Sequence, residues 1–123
     1  MHAGHLWILH QASLQADHLL VAMNSDASIQ QYKSPSRPIV PLAYRLEMMA
    51  AIEFVSAVTW FEELDPCQLI ASVKPDVHVN GAEYGLQCIE ADTVRQCGAR
   101  LHLVERIPGL ATSTLIEKIR RCE

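Results

Sequence analysis

His18-Leu19-Leu20-Val21-Ala22-Met23, running into Asn24-Ser25-Asp26, is the stretch on which the fold turns. It reads as a buried strand that ends in a polar cluster. The same unit recurs along the chain. Val58-Thr59-Trp60-Phe61 is a second strand, Val77-His78-Val79 a third that closes on Asn80-Gly81, and Leu101-His102-Leu103-Val104 a fourth, closed by Pro108-Gly109. Helix-like segments separate them. After a polar loop with Pro35 and Pro38, Pro41 opens a helix whose apolar positions Leu42, Leu46, Met49 and Ala50 keep helical spacing. Asp65-Pro66 starts another, Ile89 to Cys97 forms one stopped by Gly98, and Thr112-Ser113-Thr114 caps a last one carrying Leu115, Ile116 and Ile119. Strand and helix alternate, with connections long enough to cross over. The pattern predicts a Rossmann-like three-layer α/β/α domain with a mostly parallel sheet.

The 123 residues, 50% of them hydrophobic, suffice for one core, so residues 1–123 are read as one domain. A net charge of -4 and a pI of about 5.8 argue against nucleic acid as a partner. No apolar run reaches the ~20 residues that span a bilayer, and no signal peptide is expected. The cysteines Cys67, Cys88, Cys97 and Cys122 form no Cys-x-x-Cys pair. Reduced thiols and a cytoplasmic location are the expectation.

In doubly wound sheets the ligand lies beyond the carboxyl ends of the strands. The polar clusters Asn24 to Asp26, Asn80 to Tyr84 and Arg106 to Thr114 each fall at such an end. Met1-His2-Ala3-Gly4-His5 leads directly into the apolar run Leu6-Trp7-Ile8-Leu9. Two imidazoles at a first helical turn, beside unpaired N–H groups and the positive end of the dipole, suit phosphate. Lys33 and Arg37 put cations on a proline-stiffened loop, with Arg45 one turn into the next helix. Thr112, Ser113 and Thr114 offer hydroxyls and N–H groups at a second helix start. Such a set fits a polyphosphate better than an acyl or glycosyl substrate, because phosphoryl chemistry needs positioned positive charge and no protein nucleophile. No Gly-rich loop with a following Lys-Ser/Thr is present, which excludes a P-loop enzyme.

The order of these stretches resembles the nucleotidyltransferases of the cytidylyltransferase-like superfamily, and within it the D-glycero-β-D-manno-heptose 1-phosphate adenylyltransferase domain. The resemblance is carried by His2-Ala3-Gly4-His5, Val21 to Asp26, Lys33 to Pro41, Arg45-Leu46, Lys74-Pro75-Asp76-Val77 with Asn80-Gly81, and Gly109 to Ile119. It implies transfer of AMP from ATP to a sugar 1-phosphate, with pyrophosphate released and Mg²⁺ held by the nucleotide phosphates rather than by a protein metal site. His2, His5 and Lys33 would be catalytic. Gly4, Arg37, Arg45, Asn80, Gly81, Thr112, Ser113 and Thr114 would bind nucleotide or phosphate, and Asn24 and Asp26 the acceptor. The implied pathway is ADP-heptose formation for the lipopolysaccharide core, and the family is compatible with a homodimer. A cytidylyltransferase acting on glycerol 3-phosphate or a similar alcohol phosphate is the alternative. A catalytically impaired nucleotide-binding module is the second.

Two departures from the family stand out. Its first strand, central in the sheet and ending just ahead of the His-x-Gly-His motif, is absent. The chain as given is therefore expected to be poorly active, with native protein beginning upstream. Asn80-Gly81-Ala82-Glu83-Tyr84 also stands where relatives read Lys-Gly-Gly-Asp and an aromatic, so Asn80 lacks that lysine's charge. Other residues carry plainer readings. His10 and His18 are boundary residues rather than zinc ligands shared with His2 and His5. Met23, Met48 and Met49 fill the core, and Glu62 and Glu63 form a solvated loop.

Overall fold

The computed structural model describes residues 3–32, 36, 40–105 and 112–121, with the backbone alone for Tyr32 and for residues 112–115. The elements are α1 (Ala3–Ser13), β1 (Leu20–Asn24), α2 (Asp26–Tyr32), α3 (Leu42–Ala50), β2 (Ala57–Phe61), α4 (Cys67–Val73), β3 (Val77–Gly81), α5 (Ala91–Gln96), β4 (Arg100–Val104) and α6 (Thr112–Arg121). A 3-10 turn over Ala82–Tyr84 follows β3. Helices and parallel strands alternate in the Rossmann-like manner that the sequence predicts.

The strands pair in two parallel couples. β1 lies on β2 with Leu20 opposite Ala57 and Asn24 opposite Phe61. β3 lies on β4 with Val77 opposite Arg100 and Gly81 opposite Val104. Among the described residues these couples are separate two-stranded sheets, where the sequence pattern predicts one sheet. The apolar runs of β1 and β2 are covered on one side by α3, whose Met49 is buried, as is Phe61 at the end of β2. α5 covers β4 and meets α4, burying Val94, Ile70 and Val104. α1 packs on β3 and β4.

Local chemistry sets the element ends. Pro41 stands at the N-cap of α3, as its fixed φ suits. α4 begins after Pro66, and Asp65 Oδ1 accepts the Cys67 N–H at 3.0 Å. The Cys67 thiol and then its N–H hold the Asp65 carboxyl below its ordinary 3.8. The stabilisation from Asp65 is thus complete above that value and lost as the pH falls through the lowered one. Burial pushes the Cys67 thiol up, against a hydrogen bond with Thr93 that lowers it, which keeps the sulfur protonated at neutral pH.

α5 ends at a left-handed glycine. Gly98 has φ +72°, its N–H donates to Arg95 O, and the Ala99 N–H donates to Val94 O, both at 3.0 Å. These two bonds are a Schellman motif with Gly98 at C′. The helix itself, Ala91–Gln96, is shorter than the predicted Ile89 to Cys97. α2 lies where the sequence pattern predicts polar loop. It needs little apolar surface: Ser25 Oγ accepts the Ser28 N–H at 3.1 Å as an N-cap, and Ile29 is buried.

Gly98→Ala is expected to cost about 1 kcal/mol, the strain of a left-handed Cβ residue. Nothing lies within 4 Å of an added Cβ, so packing adds no term. A shifted urea midpoint at constant m-value is the expected reading. An unchanged midpoint would mean that the left-handed turn is not required.

Candidate functional site

α1 runs antiparallel to β4. The Trp7 indole N–H donates to Glu105 O at 3.0 Å, just past the carboxyl end of β4, and Arg100 at the strand's start donates to Gln15 Oε1 at 3.2 Å, just past the end of α1. The first turn of α1, with buried Gly4 and half-buried His5, is therefore delivered to the carboxyl end of β4. His2 lies outside the described residues. His10 packs edge-on against Phe54, ring centroids 5.5 Å apart, which gives it a packing role.

At the end of β1 the polar cluster closes on itself. Asn24 Nδ2 donates to Ser28 Oγ at 3.1 Å, and the Ser28 hydroxyl donates to Glu63 O at 2.8 Å. Ser28 is fully buried. Asp26 Oδ1 accepts the Leu42 N–H at 3.0 Å and the Arg45 guanidinium at 2.7 Å, while Arg45 Nε donates to Val40 O at 3.0 Å. Pro41 provides no side-chain cap, so Asp26 caps α3 from sixteen positions upstream. The Arg45 side chain is 12% accessible and that of Asp26 is 42%. The structure thus brings Asp26 and Arg45 together as partners. The connection between α2 and α3 carries Lys33 and Arg37, both outside the described residues.

The end of β3 holds a second polar group. His78 and Asn80, two apart and so on one face of the strand, both reach Glu90 Oε1: Asn80 Nδ2 by a short hydrogen bond and His78 Nε2 at 3.4 Å. Asn80 Oδ1 accepts the Gly81 N–H at 3.1 Å. The Glu83 carboxylate folds back over Gly81, with Oε2 2.5 Å from where a Cβ would stand. Thr112, Ser113 and Thr114 lie in the first turn of α6, their side chains outside the described residues.

Sequence reasoning placed Asn24, Asp26, Asn80 and Gly81 at strand ends, where they are found. It missed Ser28 and Glu90. Ser28 has a signal, since it sits three residues after Ser25 at a helix start. Glu90 has none, because an acid just ahead of a helix reads as a first-turn surface charge.

The family model described as cytidylyltransferase-like matches residues 1–119. The chain belongs to the cytidylyltransferase-like family, a family of nucleotidyltransferases. Among curated proteins it is similar to the bifunctional protein HldE of Hahella chejuensis, 38% identical over 98% of this chain and 26% of the relative. It is also similar to those of Pseudomonas fluorescens, 40% identical over 100% and 26%, and Mesorhizobium japonicum, 40% over 98% and 24%. The chain spans about a quarter of the length of these relatives. Among solved structures, the lipopolysaccharide core biosynthesis protein of Thermoplasma volcanium shares the fold, with a TM-score of 0.67, 23% identity and 87% of each chain covered. Among the described residues, no helix is long and apolar enough to cross a membrane.

Ser28→Ala is expected to destabilise by about 1–3 kcal/mol, because it removes the hydroxyl that Asn24 donates to and leaves Glu63 O without its donor. Thermal unfolding measures this. A melting temperature equal to that of the unaltered protein would show that the cluster at the end of β1 holds nothing in place.

Proposed function

We propose that this domain transfers AMP from ATP to a sugar 1-phosphate of the heptose 1-phosphate type, releasing pyrophosphate, in ADP-heptose synthesis for the lipopolysaccharide core. The observation that carries the reading is the tether of Trp7 to Glu105, which sets the His5 end of α1 at the carboxyl end of β4. From there the chain leads on to Thr112, Ser113 and Thr114. Membership of the nucleotidyltransferase family and the likeness to the HldE proteins support it. So does the likeness of Asn24-Ser25-Asp26 and of Lys33 to Ile39 to the heptose-phosphate branch.

In this reading a phosphate oxygen of the acceptor attacks the α-phosphorus of ATP in line. The new O–P bond forms as the bond from the α-phosphorus to the bridging oxygen breaks, and pyrophosphate leaves with that electron pair. No protein nucleophile takes part. His2 and His5 donate N–H groups to oxygens that gain charge, assisted by the N-terminal dipole of α1. Lys33 and Arg37 hold the leaving pyrophosphate or the acceptor phosphate. The start of α6 receives the β- and γ-phosphates. Mg²⁺ enters as part of the MgATP substrate. Asp26, on the acceptor side, and Arg45, on the phosphate side, act through their mutual pairing, which anchors the start of α3 after the Lys33 and Arg37 connection. A homodimer and a cytoplasmic location belong to the same proposal.

Pyrophosphate release measured across the four nucleoside triphosphates, with sugar 1-phosphates and polyol phosphates, tests the reading. ATP with a sugar 1-phosphate is the expected pair. Preference for CTP with glycerol 3-phosphate would replace the substrates and keep the reaction, and nucleotide binding without turnover would leave a binding module. His5→Ala is expected to lower kcat by about 10²-fold or more, as loss of one preorganised donor does, with the protein still folded. Full activity in that variant would contradict the mechanism.

A further inference from the structure

Glu90 is the buried carboxylate that the proposed reaction leaves without a task. It is 8% exposed, just ahead of α5, and one of its oxygens serves two side chains of β3. A carboxylate withdrawn from water is costly unless hydrogen-bonded. Its partners here are the Asn80 carboxamide and the His78 ring. If Asn80 turned away, Glu90 Oε1 would be left with the longer His78 contact at 3.4 Å. Its nitrogen is directed inward to the acid, which leaves its oxygen directed at the Gly81 N–H. A chain of hydrogen bonds thus runs from a buried acid, through one side chain, to the backbone at the carboxyl end of β3.

We infer that Glu90 is a positioning residue for nucleotide binding, holding Asn80 and through it the Gly81 amide in one orientation at the end of β3. The inference rests on the proposed nucleotidyl transfer. Asn80 then acts as a bracket between Glu90 and Gly81 at the carboxyl end of β3, in place of a cation at position 80. Glutamine at position 90 preserves the arrangement, because its carbonyl oxygen accepts from Asn80 as the carboxylate does. Alanine leaves Asn80 without its acceptor.

Nucleotide KM and kcat of Glu90→Ala, Glu90→Gln, Asn80→Ala and the double variant Glu90→Ala/Asn80→Ala form the test, with the Asn80 side-chain amide and Gly81 backbone resonances recorded on each protein without substrate. Glu90→Ala is expected to raise the nucleotide KM about tenfold, the loss that follows removal of one charge-assisted hydrogen bond, with kcat little changed. Glu90→Gln restores KM to near the starting value. The double variant matches Asn80→Ala, because the two residues act as one unit. The Gly81 resonance moves in Glu90→Ala and stays in Glu90→Gln. If Glu90→Ala fails to fold, Glu90→Gln decides by retaining or losing KM and the Gly81 position. Unchanged KM and resonances in folded Glu90→Ala, or additive losses in the double variant, would overturn the inference. If the unaltered protein turns over no nucleotide, the proposed reaction falls, and the Asn80 and Gly81 resonances alone decide whether Glu90 positions them.

Discussion

Every strand of a parallel sheet carries N–H and C=O groups on two edges, and each buried group needs a partner. This requirement governs the whole domain. Among the described residues β1 pairs with β2 and β3 with β4, leaving each couple with outer edges that carry no ladder. On the faces of the first couple, Leu20 of β1 is 40% exposed and Trp60 of β2 is 48% exposed. α1 reaches toward both couples: Trp7 is tied to Glu105 beyond β4, and His10 rests on Phe54 ahead of β2.

The same constraint connects fold to chemistry. Parallel strands deliver their carboxyl ends, with the helix starts that follow, to one rim of the sheet. Along that rim the side chains first satisfy one another. Asp26 caps α3 and pairs with Arg45, Asn24 engages Ser28, and Asn80 spans Glu90 and Gly81. These links fix backbone and loop ends in place. Preorganisation of that kind is what in-line phosphoryl transfer asks of a protein, since the nucleophile and leaving group both come from the substrates.

Much of the architecture was legible in the residues. The stop at Gly98 follows from glycine's freedom at positive φ, the start at Pro41 from proline's fixed φ, and all four strands from short apolar runs ending in polar clusters. α2 was not legible, because Asp26 to Tyr32 offers Ile29 as its buried apolar residue and no repeating stripe. The split of the sheet was not legible, because which strands pair is set by tertiary structure rather than by their local pattern. At the site, position along the chain located Asn80 and Asp26, but their partners came from tertiary structure. Nothing local pairs Asp26 with Arg45, nineteen residues on, or buries Glu90 against β3. A charged residue's sequence context reports its local element, whereas its partner is set by which elements the fold brings together.

The central claim is that the first turn of α1, held at the carboxyl end of β4 by the hydrogen bond from Trp7 to Glu105 O, serves nucleotidyl transfer. The most direct measurement compares pyrophosphate release from ATP and a sugar 1-phosphate, with melting temperature alongside, in the unaltered protein and in Trp7→Phe, which keeps an aromatic ring and loses the donor to Glu105 O. The account predicts that turnover falls, by up to about 10²-fold, while the protein stays folded, because the His5 end of α1 is then misplaced. Turnover equal to that of the unaltered protein in folded Trp7→Phe would contradict it.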